Sequence, residues 1–316
     1  MGKKKGYGQQ KDKHSLKMRI RGWFHRGRFI GFDIQSIIMA VLTTLTIVTT
    51  VVMGLLIYNR FTRAIKQTAI SNAESLINST VEKIDSDLLN VRQISNALNY
   101  NIIQEGDVND QEFARQFSLL YEVNNDKVQS LALFDNEGKL VAAEPVMEQM
   151  DNVNVKSQKW YTDALRDIEN IHFSTPHIQN LFADESYKYY WVISLSRSVD
   201  INNGKTPVSG VLLVDMKSSV ISDTMKAINE DSNEVYYYLC NREGKIIYHP
   251  RRTEIDRGLI SEDVGKVAML EDGTYELKLN GKSGNVVVGS IAYTGWKIIG
   301  VVPDTVQTIN IKKFRY

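Results

Sequence analysis

The sequence predicts a mixed α/β chain of the α+β kind. It has an N-terminal membrane-spanning helix, a long helix behind it, and two antiparallel-sheet modules in series. Three observations predict this. Residues 34–59 are 26 residues without a charge. Apolar side chains recur every seven residues between positions 77 and 102. A strand–turn–strand segment occurs twice, 106 residues apart.

The uncharged run is rich in Ile, Leu, Val and Thr. Roughly 20 apolar residues suffice for a helix to cross a bilayer. The run is too long, and too far inside the chain, for a cleaved leader. Its threonines (Thr43, Thr44, Thr46, Thr49 and Thr50) are compatible with lipid, because a helical hydroxyl can bond to a carbonyl one turn back. Charge sets the direction. Residues 1–33 hold ten Lys/Arg against two acids, whereas the remainder holds 28 against 35. Basic residues beside a spanning helix stay in the cytoplasm. The expectation is therefore a basic cytoplasmic arm over 1–33 and an acidic outer part from residue 60. Trp23, Phe24, Phe29, Ile30 and Phe32 interleave with Arg and His in that arm, as suits contact with lipid headgroups rather than nucleic acid. Its first dozen residues read as disordered. Cys240 is the single cysteine, so no disulfide forms within the chain. An outer domain without disulfides fits a bacterial surface. Cys240 itself reads as a buried strand residue.

Residues 60–105 contain no Gly or Pro and read as one stalk helix. Ile77, Ile84, Val91 and Leu98 form one row, and Val81, Leu88 and Ile102 a second, with Ser95 as its polar member. Two such rows make a seam that packs against something long. The expectation is a stalk that helps a homodimer form; the alternative is an ordinary amphipathic helix. Gly106 and Asp107 end it. A first module follows over 106–229. It has a helix near 110–123, strands at 128–135, 139–143, 171–174, 189–198 and 209–215, a helix around Trp160, and a helix over 217–229. The loop Asn202-Asn203-Gly204-Lys205 joins the last two strands.

The segment Leu133-Phe134-Asp135-Asn136-Glu137-Gly138-Lys139 recurs as Leu239-Cys240-Asn241-Arg242-Glu243-Gly244-Lys245. Each reads as a hairpin whose glycine takes a positive φ. Strands at 274–279, 285–293 and 296–302, with turns at Asn280-Gly281 and Thr294-Gly295, complete a second module over 230–302. Residues 303–316 read as a C-terminal helix.

The order of these elements resembles the double Cache (dCache) extracellular sensor domain of bacterial receptors, over roughly 60–310. The residues that carry the resemblance are the paired Glu-Gly hairpins, Lys159-Trp160-Tyr161 with Ala164, and Ser174-Thr175-Pro176-His177. Ile193-Ser194-Leu195-Ser196-Arg197, Gly210-Val211-Leu212-Leu213-Val214-Asp215, Tyr248-His249-Pro250 and Thr294-Gly295-Trp296 add to it. The flavour is that of membrane sensor histidine kinases of the YesM kind. Chemotaxis receptors, diguanylate cyclase sensors and a surface-anchored protein-interaction module are the alternatives. The resemblance implies two PAS-like modules and a helix over 303–316 that leads to a second spanning helix beyond it. On that basis the chain reads as the sensor part of a longer receptor, with signalling through a partner as the other option.

The resemblance also implies that the first, membrane-distal module binds an extracellular small molecule. Trp160 and Tyr161 are candidates for an aromatic wall. Asp215 stands where the family's amino-acid binders keep an acid for a ligand amine. Thr175, His177 and Arg197 are further candidates. Each has a structural alternative: Trp160 and Tyr161 as core, Asp215 as the cap of the following helix, Arg197 as an exposed strand residue. The same binders carry an arginine two residues before the tryptophan, and here that position is Gln158. Without a guanidinium fork the clamp on a ligand carboxylate is missing. An α-amino acid is thereby disfavoured, and a sugar, another neutral molecule or a protein fits as well. His172 and His177, five apart, do not have zinc spacing. No phosphate loop, nucleophile elbow or His-Glu-x-x-His run is present. The expectation is a binding domain with no catalytic group and no cofactor, partnered by lipid and its own copy.

Overall fold

The computed structural model describes residues 34–304, apart from 151, 168–169, 183–188, 205, 231–234 and 280–281. The basic arm, Lys205 of the 202–205 loop, the Asn280-Gly281 turn and the helix expected beyond Asp304 lie outside the described residues. The described residues divide into two units, a first up to Arg63 and a second from Ala64 onward.

Helix α1 spans Ile34–Ala97. Within the first unit every side chain from Ile34 to Phe61 is exposed. This stretch is long and apolar enough to cross a membrane. The hydroxyls of Thr43, Thr44, Thr46, Thr49 and Thr50 each donate to the carbonyl four residues back, at 2.7–3.0 Å. The polar groups that interrupt the apolar run are thus satisfied within the helix itself.

In the second unit the same helix turns an apolar stripe inward. Ile70, Ala73, Ile77, Ile84, Leu88, Val91 and Ile94 are buried, and a wider π-turn, Leu98–Ile103, continues with Leu98, Ile102 and Ile103. These side chains share one core with Leu131, Leu133, Ile193, Leu195, Leu212 and Val214 of a first sheet, and with Tyr237, Leu239, Val287, Ile298 and Val302 of a second. At about 1.5–3 kcal/mol per buried aliphatic side chain, the stripe is a substantial hydrophobic contribution to the unit. The seven-residue spacing therefore reports a helix docked on this chain's own sheets. It gives no support to a dimer seam, because those side chains are already covered.

The first sheet holds β1 (Val128–Asp135), β2 (Leu140–Glu144), β3 (His172–Phe173), β4 (His177–Ile178), β5 (Trp191–Ile201) and β6 (Val208–Lys217). Its order is β2-β1-β6-β5-β3, with β4 also paired to β5. Five strands are expected from sequence. The sixth, β4, is two residues long and leaves no periodicity to read. Helices α2 (Gln111–Asn124) and α3 (Lys159–Arg166) pack on this sheet, and α4 (Ser219–Glu230) leads to the second sheet and packs on its first strand. The second sheet holds β7 (Tyr236–Cys240), β8 (Ile246–Tyr248), β9 (Gly273–Leu279), β10 (Lys282–Ser290) and β11 (Lys297–Pro303) in the order β8-β7-β11-β10-β9. Short helices α5 (Arg252–Asp256) and α6 (Val264–Ala268), which the sequence reading does not contain, lie between β8 and β9.

The internal repeat is a repeat of structure. The register slips between Leu133 and Phe134 in one hairpin and between Leu239 and Cys240 in the other. Gly138 and Gly244 take φ of +80° and +78°, which a side chain would strain. Asp135 Oδ1 accepts from the backbone N–H of Lys139, and Asn241 Oδ1 from that of Lys245. Cys240 is buried, and burial pushes its thiol up to about 11.

A candidate ligand site in the first module

Strand alternation sorts the first sheet into two faces. One face, with Ile193, Leu195, Leu212 and Val214, meets α1. The other, with Ala132, Phe134, Val211 and Leu213, packs on Trp160, Tyr161 and Ala164 of α3. Asp215 lies on this second face, next to β1 and β5. Ser130 and Ser194 are its direct partners across the two strand pairs.

Asp215 is 1% exposed. Its carboxylate accepts from Ser194 Oγ at 2.5 Å and from Ser130 Oγ at 2.9 Å. No Lys or Arg pairs with it among the described residues. Burial pushes its carboxyl above the usual range, against the downward pull of the two hydroxyls and of nearby His177. His177 Nε2 stands 3.4 Å from Ser194 Oγ. His177 Nδ1 faces the Thr175 carbonyl at 3.0 Å and Ser174 Oγ at 3.2 Å. The Thr175 carbonyl accepts when the ring proton is on Nδ1, and Ser174 Oγ can donate when it is on Nε2. Ser174 Oγ accepts in turn from the Ser194 N–H at 2.8 Å. The 174–177 loop is therefore tied to the strand residue that holds Asp215.

The aromatic side chains of α3 pack on the same sheet face. The Trp160 ring lies 5.4 Å from Phe134 and edge-on to Tyr161 at 5.8 Å. Its carbonyl accepts from Ser196 Oγ at 2.9 Å. Tyr161 is 2% exposed, and its hydroxyl donates to the Asp135 carbonyl at 2.7 Å. That bond fastens α3 to the first hairpin, so Tyr161 is a core residue with a structural hydrogen bond.

The structure thus brings Asp215, His177, Thr175 (through its carbonyl) and Trp160 to one face, with Tyr161 behind them. It does not bring Arg197 there. Arg197 is an odd-numbered β5 residue and points to α1, where its Nη1 donates to Asn96 Oδ1 at 2.8 Å and its guanidinium lies 5.4 Å from the Tyr100 ring centroid. Asp215 does not cap α4 either, since that helix begins at Ser219 and the carboxylate is held by serines. Gln158 precedes α3 without capping it through its side chain. Ser130, Ser174 and Ser194 are the residues that a reading by motif passes over as individual contributors. The available signal was polar residues on strands buried on both faces: β5 reads Ile193-Ser194-Leu195-Ser196, all buried.

A family model described as Cache domain matches residues 61–308. A probable methyl-accepting chemotaxis protein of Bacillus thuringiensis is 24% identical over 248 residues, which are 77% of this chain and 34% of that protein. The chain therefore spans about a third of that relative's length. Among solved structures, the ligand-binding domain of an amino-acid chemoreceptor of Pseudomonas aeruginosa in complex with GABA aligns with TM-score 0.55 at 18% identity, covering 74% of this chain and 98% of that one. The ligand-binding domain of the Campylobacter jejuni chemoreceptor Tlp3 in complex with 4-methylisoleucine aligns with TM-score 0.58 at 16% identity, covering 77% and 94%. Two sheets of matched order on one long helix, with a family match over most of their length, lead to one conclusion: the chain belongs to the Cache domain family of ligand-sensing domains.

Proposed function

We propose that this chain is the extracellular sensing region of a bacterial membrane receptor, with residues 1–33 cytoplasmic, 34–59 across the bilayer and the first module membrane-distal. The ten basic residues before the helix support that orientation. In the first module a small molecule binds with an amine against Asp215 and an apolar part against Trp160. The observation that carries this is a buried carboxylate held only by two serine hydroxyls. A charge so placed costs several kcal/mol unless a cation pairs with it, and a ligand ammonium supplies one. GABA and 4-methylisoleucine, bound by the solved relatives, each carry an amine together with a carboxylate. No guanidinium stands at Gln158 to grip a carboxylate, so the amine and apolar body carry the affinity. Binding shifts the balance between two arrangements of the domain and so of α1. Chemotaxis signalling as the output is supported by the Bacillus relative; the kinase output rests on resemblance alone.

The test is calorimetry on the full chain in lipid nanodiscs, with GABA, branched aliphatic amines and amino acids as probes. Asp215→Ala and Trp160→Ala should each weaken binding at least tenfold. Unchanged affinity in both variants would refute the assignment.

A further inference from the structure

Helix α1 changes its winding near its end. It is α-helical up to Ala97 and opens into the π-turn over Leu98–Ile103. There the Gln104 N–H donates to the Asn99 carbonyl, five residues back, at 3.0 Å. Neither Gly nor Pro occurs from residue 60 to residue 105, so no helix breaker forces the change. The wider turn has a consequence for packing. At 3.6 residues per turn, Ile103 would lie about 140° round the helix from Leu98. Here Leu98, Ile102 and Ile103 are 0%, 8% and 0% exposed and enter one core. An ordinary α-turn would keep Leu98 and Ile102 inward and swing Ile103 away.

Arg197 of β5 sits on this change of winding. Its Nη1 donates to Asn96 Oδ1 at 2.8 Å, and its guanidinium lies 5.4 Å from the Tyr100 ring centroid. Asn96 belongs to the α-helical part and Tyr100 to the π-turn. One side chain therefore holds both sides of the joint. The grip is incomplete. Among the described residues, Arg197 Nε, Ser95 Oγ and Asn99 Oδ1 are buried atoms with no hydrogen-bond partner. Unpaired polar atoms are costly, and a π-turn is itself a rare winding. Burial of Ile103 and the grip of Arg197 oppose those costs.

We propose that residues 98–103 form a two-register joint in α1, latched in the wide register by Arg197. In the second register the turn is α-helical, Ile103 leaves the core, and the spare residue passes into the segment at Gly106. That segment is built for close approach: the Gly106 N–H donates to the Ile102 carbonyl at 3.0 Å, and a Cβ there would stand 2.8 Å from the same oxygen. Strand β5 connects the latch to the candidate site, because its side chains alternate between faces. Ser194 holds Asp215 and Ser196 bonds the Trp160 carbonyl on one face, while Arg197 holds α1 on the other. Two discrete packings of one element are what couples distant parts of a protein. Use of the joint by a ligand rests on the reading of Asp215 as its contact; the joint itself does not.

The test is methyl relaxation-dispersion NMR on the full chain in lipid nanodiscs, without ligand and with labelled isoleucine, so the result is separate from that reading. Exchange between microseconds and milliseconds should appear at Ile102 and Ile103 and be absent at Ile77, in the same stripe but far from the joint. Arg197→Met should raise the minor population at least threefold. Asn96→Leu removes the acceptor and leaves β5 intact. It should raise that population at least twofold, and it decides the matter should Arg197→Met fail to fold. Deleting Asn101, an exposed residue of the turn, places Ile103 four positions after Leu98, where an α-turn buries it. Only one register then remains, and the exchange should vanish. The proposal is overturned by exchange that is absent from the wild type and both variants, that is equal at Ile77, that neither substitution alters, or that survives the deletion.

Discussion

The two modules place different chemistry on one backbone frame. Strand pairing makes the correspondence position by position. Ser130 pairs with Asp215 in the first sheet, and Tyr236 with Val301 in the second. Ala132 pairs with Leu213, and Tyr238 with Ile299. Where the first sheet sets a small hydroxyl, a methyl and an acid, the second sets two phenols against branched aliphatic residues. The first module thus builds its polar site into the sheet, with the strands themselves as walls. The second fills the same face with tyrosine rings, against which His249, after β8, and Glu262, before α6, are buried. Fold likeness between the halves therefore says nothing about likeness of ligand, because the face residues are free to differ while the hairpin and its bulge are kept.

The largest effect expected from breaking this contrast is Tyr238→Ala. It empties a fully buried ring position, and large-to-small changes of this type cost about 3–5 kcal/mol. Urea unfolding followed by far-ultraviolet circular dichroism measures it. The mirror experiment is Ser130→Tyr, which gives the first module the residue of the second. Overpacking should cost about 1–3 kcal/mol, and the phenol should displace any ligand held at Asp215. If amine binding persists in that variant, the two faces are not equivalent positions and the comparison fails.

A smaller effect of opposite sign is expected for Asp215→Asn. The carboxyl titrates above the usual range because it is buried. Between the ordinary value, about 4, and the raised one, the folded protein keeps a proton that the unfolded chain has released. Stability contributed by the protonated group is full below pH about 4 and is lost as pH rises. The amide is neutral throughout, so the variant should match the wild type in acid. It should exceed it by about 0.5–2 kcal/mol near neutrality, as site residues that favour function over stability do. Thermal melts of both proteins across that pH range check the sign.

What could be read from the sequence divides along the same line as these effects. The hairpins were legible because their signal is local: a Glu-Gly turn between two apolar runs. The membrane-length helix was legible for the same reason, a long run of one character. The seam of α1 was legible as a periodicity but not as a partner. A helix lying on two consecutive sheets buries Ile77, Ile84, Val91 and Leu98 at the same spacing as a coiled coil would. Trp160 and Asp215 came from a motif, and the structure sets them on one face. Arg197 came from a neighbouring motif and falls on the other face, since one step along a strand reverses the side-chain direction. Ser130 and Ser194 were not singled out, because a serine in an alternating strand looks solvent-facing until α3 is seen to cover it. His249 and Glu262 meet only through the packing of two separate segments, and no local pattern announces that.

The smallest effect separates the two modules by how each is tied to α1. Asp87, whose side chain is 4% exposed, receives Lys83 at 2.6 Å and Lys127, just before β1, at 3.0 Å. At the second module Lys66 meets Asp304, after β11, at 2.8 Å, with side chains 26% and 39% exposed. Lys66 holds the Asp304 carboxyl below its usual range, chiefly through their hydrogen bond. A depressed carboxyl contributes above its unfolded value and loses that contribution as pH falls through the folded one. Solvent screens a pair this open, so Lys66→Met should cost only about 0.2–1 kcal/mol at low salt. In 1 M salt, where the screening length is about 3 Å, the cost should vanish. The Asp87 carboxylate is buried although Lys83 and Lys127 are 58% and 34% exposed, so Asp87→Asn should lose a smaller share of its cost between the two salt concentrations. Chemical unfolding by urea at 0.05 and 1 M sodium chloride distinguishes the cases. Equal salt dependence in the two variants would mean that the ties differ in position only, and the asymmetry between the modules would then be confined to their outer faces.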